Sequence, residues 1–238
     1  MPHVFKGTAV SLLKEIYSLD IESALGILSK HFPDLVAFST SFSNEDQVIT
    51  DLIAKSKTSV EIFTLDTGRL FDNTYSTWEA TNTYYGIHIK TYHPDAQSLE
   101  DYLNLNGPNA FYQSVEKRKE CCSIRKVEPL RRALKNNAVW ITGIRAEHSL
   151  NRQQTSLIEW DETNQIIKYN PLLNWSTEDV KEYIQKYKIP YNPLSDNGYA
   201  SIGCSPCTRA IKENEDIRAG RWWWEDNDKK ECGLHIKR

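Results

Sequence analysis

The chain has 238 residues, of which 39% are hydrophobic and 26% charged, and it carries a formal charge of −3. This length and balance describe a soluble globular chain that buries a full core without disulfides, as one large domain or two small ones. They exclude a strongly basic nucleic-acid binder and an acidic disordered chain, and no stretch approaches the roughly 18 apolar residues of a membrane span.

The opening residues, MPHVFKGTAVSLLKEIYSLD, lack a basic region followed by an apolar run and a small-residue cleavage site. A cytoplasmic location is therefore expected. Residues 8–18 and 21–31 carry helical spacing, with Asp20 as a candidate N-cap for the second. Leu35-Val36-Ala37-Phe38 reads as a short apolar strand, followed by the polar turn Ser39-Thr40-Ser41-Phe42-Ser43. Residues 44–55 return to helical period, with Val48, Ile49, Leu52 and Ile53 on one face. A strand from Val60 to Leu65 ends at Asp66-Thr67-Gly68. A helix near 71–84, a strand near 87–91 and helical pattern around 97–105 and 121–135 come next, and Ala138 to Thr142 is the last clear strand of the series. Single strands alternating with helices predict an α/β fold, a parallel sheet flanked by helices.

The final third differs. Residues 156–169 read as a short hairpin, and Ser176 and Asp179 have capping-box spacing at the start of a helix that ends before Pro190. An irregular stretch rich in Asn, Pro, Ser and Gly follows. No repeat or linker stands out, so residues 1–225 are expected to form one domain and the polar residues 226–238 a mobile tail.

Charge is unevenly distributed. Residues 117–152 hold ten Lys or Arg against three Glu, which makes that segment +7 and the rest of the chain −10. A basic region inside a mildly acidic protein suits a compact anion, although a solvated helix face has the same composition.

There are five cysteines: Cys121, Cys122, Cys204, Cys207 and Cys232. Adjacent cysteines rarely bridge each other, because the ring they close is strained, and a cytosolic chain has little use for structural disulfides. The pairs Cys121-Cys122 and Cys204-Ser205-Pro206-Cys207 together offer four thiolates to one metal centre across an 81-residue loop. Zinc and an iron–sulfur cluster both accept four cysteines, and the spacing does not choose between them. Cys232 stands apart, in Lys229-Lys230-Glu231-Cys232-Gly233-Leu234-His235. The lysines and the histidine favour its thiolate, and a position in the tail lets it reach a site and leave again.

Three segments are candidates for holding an anion. Ser39-Thr40-Ser41 precedes a helix start, where N–H groups and hydroxyls suit phosphate, although it lacks the Gly and Lys of a Walker loop. Leu65-Asp66-Thr67-Gly68 and Gly143-Ile144-Arg145 fall at the carboxyl ends of strands, where open α/β sheets bind ligands. Lys126, Arg152, Arg218 and Arg221 are further cations for the same edge. In Trp222-Trp223-Trp224 at least one indole is expected to pack inside, while a partner-docking surface is the sharper alternative.

With these pieces assembled, the sequence resembles the assimilatory sulfonucleotide reductases, and among them the iron–sulfur type, the adenylyl-sulfate (APS) reductases. The resemblance runs from about residue 35 to 235. Besides the two strand-end motifs it rests on Cys121-Cys122 with Arg125-Lys126, Thr142-Gly143-Ile144-Arg145, Cys204-Ser205-Pro206-Cys207-Thr208-Arg209, Gly220-Arg221-Trp222-Trp223-Trp224-Glu225 and Lys230-Glu231-Cys232-Gly233-Leu234-His235. It implies an adenine-nucleotide α-hydrolase-like fold with a modified phosphate loop. It implies a [4Fe–4S] cluster on Cys121, Cys122, Cys204 and Cys207. It also implies that Cys232 attacks the sulfur of adenylyl sulfate, releasing AMP and leaving an S-sulfocysteine from which thioredoxin or glutaredoxin releases sulfite. His235 is then placed to orient or activate the thiol. Ser39, Thr40, Ser41, Leu65, Asp66, Thr67 and Gly68, with the cations Lys126, Arg145, Arg152, Arg218 and Arg221, are the expected substrate-binding residues. The family loop carries Gly where this chain has Ser43, and the stretch around Arg152 differs from the family form. Neither a nucleic acid nor a membrane is an expected partner, and a homo-oligomer is compatible with the sequence. The rival readings are a phosphoadenylyl-sulfate reductase, a sulfurtransferase of the ATP-pyrophosphatase type and an iron–sulfur redox sensor. The cluster cysteines weigh against the first, the loop sequence against the second, and Cys232 with the arginines against the third.

Overall fold

The computed structural model describes residues 2–148 and 155–225. A six-stranded sheet runs through it in the order β3-β2-β1-β4-β6-β5. The strands are β1 (Val36–Thr40), β2 (Glu61–Leu65), β3 (Lys90–Tyr92), β4 (Val139–Ile141), β5 (Ile158–Asp161) and β6 (Ile166–Tyr169). All neighbours pair in parallel except β5, which lies antiparallel on β6. The predicted hairpin is thus present, and its second strand also extends the parallel sheet beyond β4. Ile166 to Tyr169 are all buried, as a strand covered on both faces must be.

Strand alternation divides the core. Val36, Phe38, Val139, Ile141 and Ile167 face one side. There they meet α1 (Pro2–Ile16), α2 (Ile21–His31), α3 (Asn44–Ser56) and α8 (Thr177–Tyr187). Ala37, Phe63, Trp140 and Ile166 face the other side and pack on Leu130, Ala133 and Leu134 of α7 (Glu128–Leu134). A third cluster joins Tyr102 of α5 (Ala96–Asn106) to Phe111, Cys121, Cys204, Cys207 and Trp222. The remaining helices are α4 (Asp72–Tyr85) and α6 (Val115–Cys122). Among the described residues, no helix is long and apolar enough to cross a membrane.

Helix starts follow local chemistry. Asp20 caps α2, and Ser176 and Asp179 form the reciprocal capping box expected for α8. The helix expected over 121–135 differs more. It begins at Val115 and continues to Leu134 through a wide π turn at Ser123–Val127. Pro129 explains the turn, because it has no N–H for the carbonyl of Arg125. Glu128 donates instead to the Ser123 carbonyl five residues back. Such turns often mark functional sites, and this one carries Arg125 and Lys126 immediately after the cysteine pair.

Strand order reverses around β1, since β2 and β4 both lie beside it and the chain departs to opposite edges. The crevice at the carboxyl ends of β1 and β4 is where an open sheet of this kind takes its ligand.

Candidate active site

A cleft of about 450 Å³ opens at that switch point. Its walls include Ser39–Asp46 after β1, Leu65 and Thr67 after β2, Thr142–Arg145 after β4, Lys126 of the π turn, and Arg218, Arg221 and Trp222. Of the substrate-binding residues expected from sequence, the described structure brings together Ser39, Thr40, Ser41, Leu65, Thr67, Lys126, Arg145, Arg218 and Arg221. Asp66 and Gly68 do not line the cleft. The Asp66 carboxylate instead accepts from the Gly68 N–H at 2.8 Å and the Tyr75 hydroxyl at 2.9 Å, and so shapes the turn. Arg152, Cys232 and His235 lie outside the described residues.

Part of the loop after β1 is satisfied from within. Asp46 Oδ2 accepts from both the N–H and the hydroxyl of Ser41, each at 2.7 Å. The Phe42 N–H donates to Thr40 Oγ1 at 3.0 Å. Phe42 has φ +60°, which costs a non-glycine residue on the order of 1 kcal/mol. Its ring is fully buried and stacked on Trp78, with centroids 5.7 Å apart. Ser43 has φ −68° and caps α3 through its hydroxyl, so a glycine is not required there. Burial pushes the Asp46 carboxyl up to about 6, despite the opposing hydrogen bonds from Ser41. Gly143 makes room for that carboxylate, since a Cβ there would stand 2.4 Å from Asp46 Oδ1.

Arg145 is buried beside the same loop. Its guanidinium is held by Glu45 at 3.0 Å, Glu147 at 2.5 Å, the Trp175 carbonyl at 3.1 Å and Thr177 Oγ1 at 3.0 Å. Arg221 is different. It is 7% exposed, and its Nε has no hydrogen-bond partner among the described residues. Gly203 lets it through, since a Cβ there would lie 2.2 Å from Arg221 Nη1.

Cys121, Cys122, Cys204 and Cys207 surround one small cavity of about 20 Å³, which Arg69, Arg118, Arg125 and Lys126 also line. Lys126 therefore faces both cavity and cleft. Thr67 Oγ1 lies 3.3 Å from Cys204 Sγ, and Arg125 Nη1 donates to the Thr67 carbonyl at 2.6 Å, so one residue of the β2 turn touches both the thiols and the cleft. Burial pushes the Cys207 thiol up to about 12, with the neighbouring Cys204 adding to the effect and Lys126 and Arg221 opposing it. Burial raises Cys121 as well, against the pull of Arg125. Among the described residues, no three Cys, His, Asp or Glu side chains converge on a single metal ion. A multi-iron cluster makes a different demand. It binds each thiolate at its own iron, and four thiols around a shared cavity fit that demand.

Some site residues could not be singled out from sequence. Arg118, fully buried, forms a two-point ion pair with Glu225 at 3.0 and 2.8 Å and lies 4.5 Å from the Trp222 ring. Arg125 and Arg118 both belong to the basic segment, but charge alone does not distinguish them from the exposed Arg131. Of the three indoles, one or more of which was expected inside, Trp222 is buried, Trp224 packs on Phe111 and Tyr112, and Trp223 is 39% exposed.

A profile of the phosphoadenosine phosphosulfate reductase domain matches residues 35–210. A protein of Allochromatium vinosum named adenosine 5′-phosphosulfate reductase is 48% identical over 202 residues, covering 85% of this chain and 79% of its own. One of the same name from Neisseria meningitidis serogroup B is 43% identical over 236 residues, covering 99% and 95%. The crystal structure of a phosphoadenylyl-sulfate reductase from Candida auris, in a phosphate complex, superposes with a TM-score of 0.71 at 31% identity, over 85% of this chain and 96% of that one. An FMN adenylyltransferase of Candida glabrata, in complex with ATP, shares the fold alone, with a TM-score of 0.55 at 14% identity over 90% of this chain and 66% of that one.

Proposed function

Because the chain belongs to the phosphoadenosine phosphosulfate reductase family, we propose the following course for its reduction of adenylyl sulfate to sulfite and AMP in sulfate assimilation. The phosphosulfate lies against Lys126, Arg218 and Arg221, which neutralise it and the charge that grows on the leaving phosphate. Arg145, its guanidinium spent on Glu45 and Glu147, holds the β4 turn in place. The single observation that carries this assignment is Arg221, a buried cation at the cleft wall whose Nε has no hydrogen-bond partner among the described residues.

Cys232 is the nucleophile. It is seven residues beyond Glu225, and an extended chain of that length spans up to about 25 Å. The tether starts beside Trp222, at the cleft wall. The thiolate forms an S–S bond to the sulfate sulfur as the S–O bond to phosphate breaks, and that electron pair leaves on AMP. His235 takes the thiol proton or orients the thiol. A dithiol donor of the thioredoxin or glutaredoxin class then attacks Cys232 Sγ, and sulfite departs with the S–S electron pair. The donor's second thiol frees Cys232, so the donor loses two electrons and the sulfur gains two. The four cysteines and a dithiol donor suit a reducing compartment, which supports a cytoplasmic location.

Cys121, Cys122, Cys204 and Cys207 would hold a [4Fe–4S] cluster, which when bound would fix the two cysteine segments and set the field around Lys126. Cys232→Ser is expected to keep its iron and its affinity for AMP while losing sulfite release by at least about 10³-fold. Unchanged sulfite release in that variant would overturn the assignment.

A further inference from the structure

We propose that Trp140 is a positioning residue: its indole N–H fixes the Ser39 hydroxyl so that the serine's proton points into the cleft and donates to an anionic oxygen of the phosphosulfate. A buried pair, Lys168 and Glu159, holds the indole in place. This deepens the reading above and rests on it, since the cleft must hold adenylyl sulfate.

The contact between the two side chains has one direction. An indole N–H can only donate, whereas a serine hydroxyl accepts through its lone pairs and donates one proton. Trp140 Nε1 lies 2.8 Å from Ser39 Oγ, so the serine is the acceptor. That bond fixes the serine oxygen and leaves its proton for another partner. Among the described residues no group accepts that proton. Ser39 is only partly buried, and it lines the cleft together with Trp140.

Strand register explains how the indole is held. Across the sheet Glu159 stands opposite Lys168, Lys168 opposite Trp140, and Trp140 opposite Ala37. Partners in register share a face of the sheet, and Ser39, two residues beyond Ala37, returns to that face. Lys168 is 4% exposed, and its amine sits 5.4 Å from the centroid of the Trp140 ring and 3.4 Å from the Glu159 carboxylate. A buried lysine needs such partners, and the ring face supplies one of them. The ladder thus crosses four adjacent strands, β5, β6, β4 and β1, and ends on Ser39 at the cleft. Leu130 of α7 packs on this same face, and Lys126, one turn earlier in the same helical run, lines the cleft with it. The Ser39 proton and the Lys126 charge are therefore offered to the ligand from one side of the sheet. A hydrogen bond to an oxyanion is roughly twice as strong as one between neutral groups.

The test is a double-mutant cycle on kcat/KM for adenylyl sulfate, with cluster-loaded full-length protein and thioredoxin in excess. Ser39→Ala removes the proton donor and is expected to lower kcat/KM by at least about tenfold. Trp140→Phe keeps a ring in the core and removes the N–H; a loss of about fivefold is expected, with iron content unchanged. In the Ser39→Ala background the same change is expected to cost less than about twofold, because the group it acts through is gone. A purely structural role for Trp140 would cost the same factor in both backgrounds. Equal losses, or no loss from Trp140→Phe, would therefore overturn the proposal, as would a loss under about twofold from Ser39→Ala alone. Should Trp140→Phe not fold, Lys168→Met takes its place in the cycle, keeping the stem and removing the amine. A loss of about threefold is then expected with Ser39 present and none without it, and equal losses or no loss would overturn the proposal. Absence of turnover in the wild type would instead overturn the reading of the cleft itself, and the proposal with it.

Discussion

The two ends of the cleft are built alike and charged oppositely. Each is a loop leaving a parallel strand, and each holds buried arginine. At the β4 end Glu45 and Glu147 grip Arg145, and Asp46 takes up both donors of Ser41 in the neighbouring loop. At the β2 end Arg125 is held by a carbonyl, and Arg221, near enough to Cys207 to act on its charge, has an Nε with no hydrogen-bond partner among the described residues. A basic segment therefore does not by itself define an anion site. The carboxylates the fold brings to each arginine decide which of them remain available to a ligand.

The largest effect is expected from removing a cation whose role is structural. Arg118→Ala leaves the Glu225 carboxylate, 4% exposed, without its ion-pair partner. Stability measured by urea unfolding is expected to fall by about 3–5 kcal/mol. A loss under about 1 kcal/mol would show that the pair does not fasten the Trp222 segment to α6. Arg221→Lys keeps the charge and loses the planar fork. It is expected to lower kcat/KM for adenylyl sulfate by about 10²-fold with the iron content unchanged. An effect under about threefold would remove Arg221 from the phosphosulfate site.

The smallest expected effect concerns the carboxylate end. The folded protein holds the Asp46 proton up to about pH 6, against an ordinary value of 3.8. Between those pH values the folded state binds more protons than the unfolded one, so this group lowers stability as pH rises. Below about pH 4 the penalty is absent, and above about pH 6 it is complete, on the order of 3 kcal/mol. The stability of Asp46→Asn relative to wild type is therefore expected to be greater at pH 8 than at pH 4, by roughly 2–3 kcal/mol. Equal differences at the two pH values would show that Asp46 carries no burial cost.

Much of the fold was legible where the signal is local. The strands β1, β2 and β4 are apolar runs ended by polar turns, and the capping box at Ser176 is a four-residue pattern. What escaped depends on distant partners. The first turns of α6, Val115 to Lys119, show no apolar face. Their anchor is Arg118, whose partner Glu225 is 107 residues away. The pairing of β6 with β4 is likewise invisible inside a hairpin read alone. In the site, the four cysteines announced themselves by their spacing and gather around one cavity. Asp46 did not, because an acidic residue in the first turn of a helix is ordinary. Only its burial and its two bonds to Ser41 set it apart. Asp66 shows the converse, since a position at the end of a strand put it among the expected ligand contacts while its hydrogen bonds turn it into the β2 turn.

A covalent Cys232 intermediate is tested by intact-mass analysis of cluster-loaded protein, purified without oxygen and incubated with adenylyl sulfate in the absence of any thiol donor. A gain of one SO₃ per chain is expected, absent in Cys232→Ser. No gain, from protein that retains its iron and binds AMP, would contradict it.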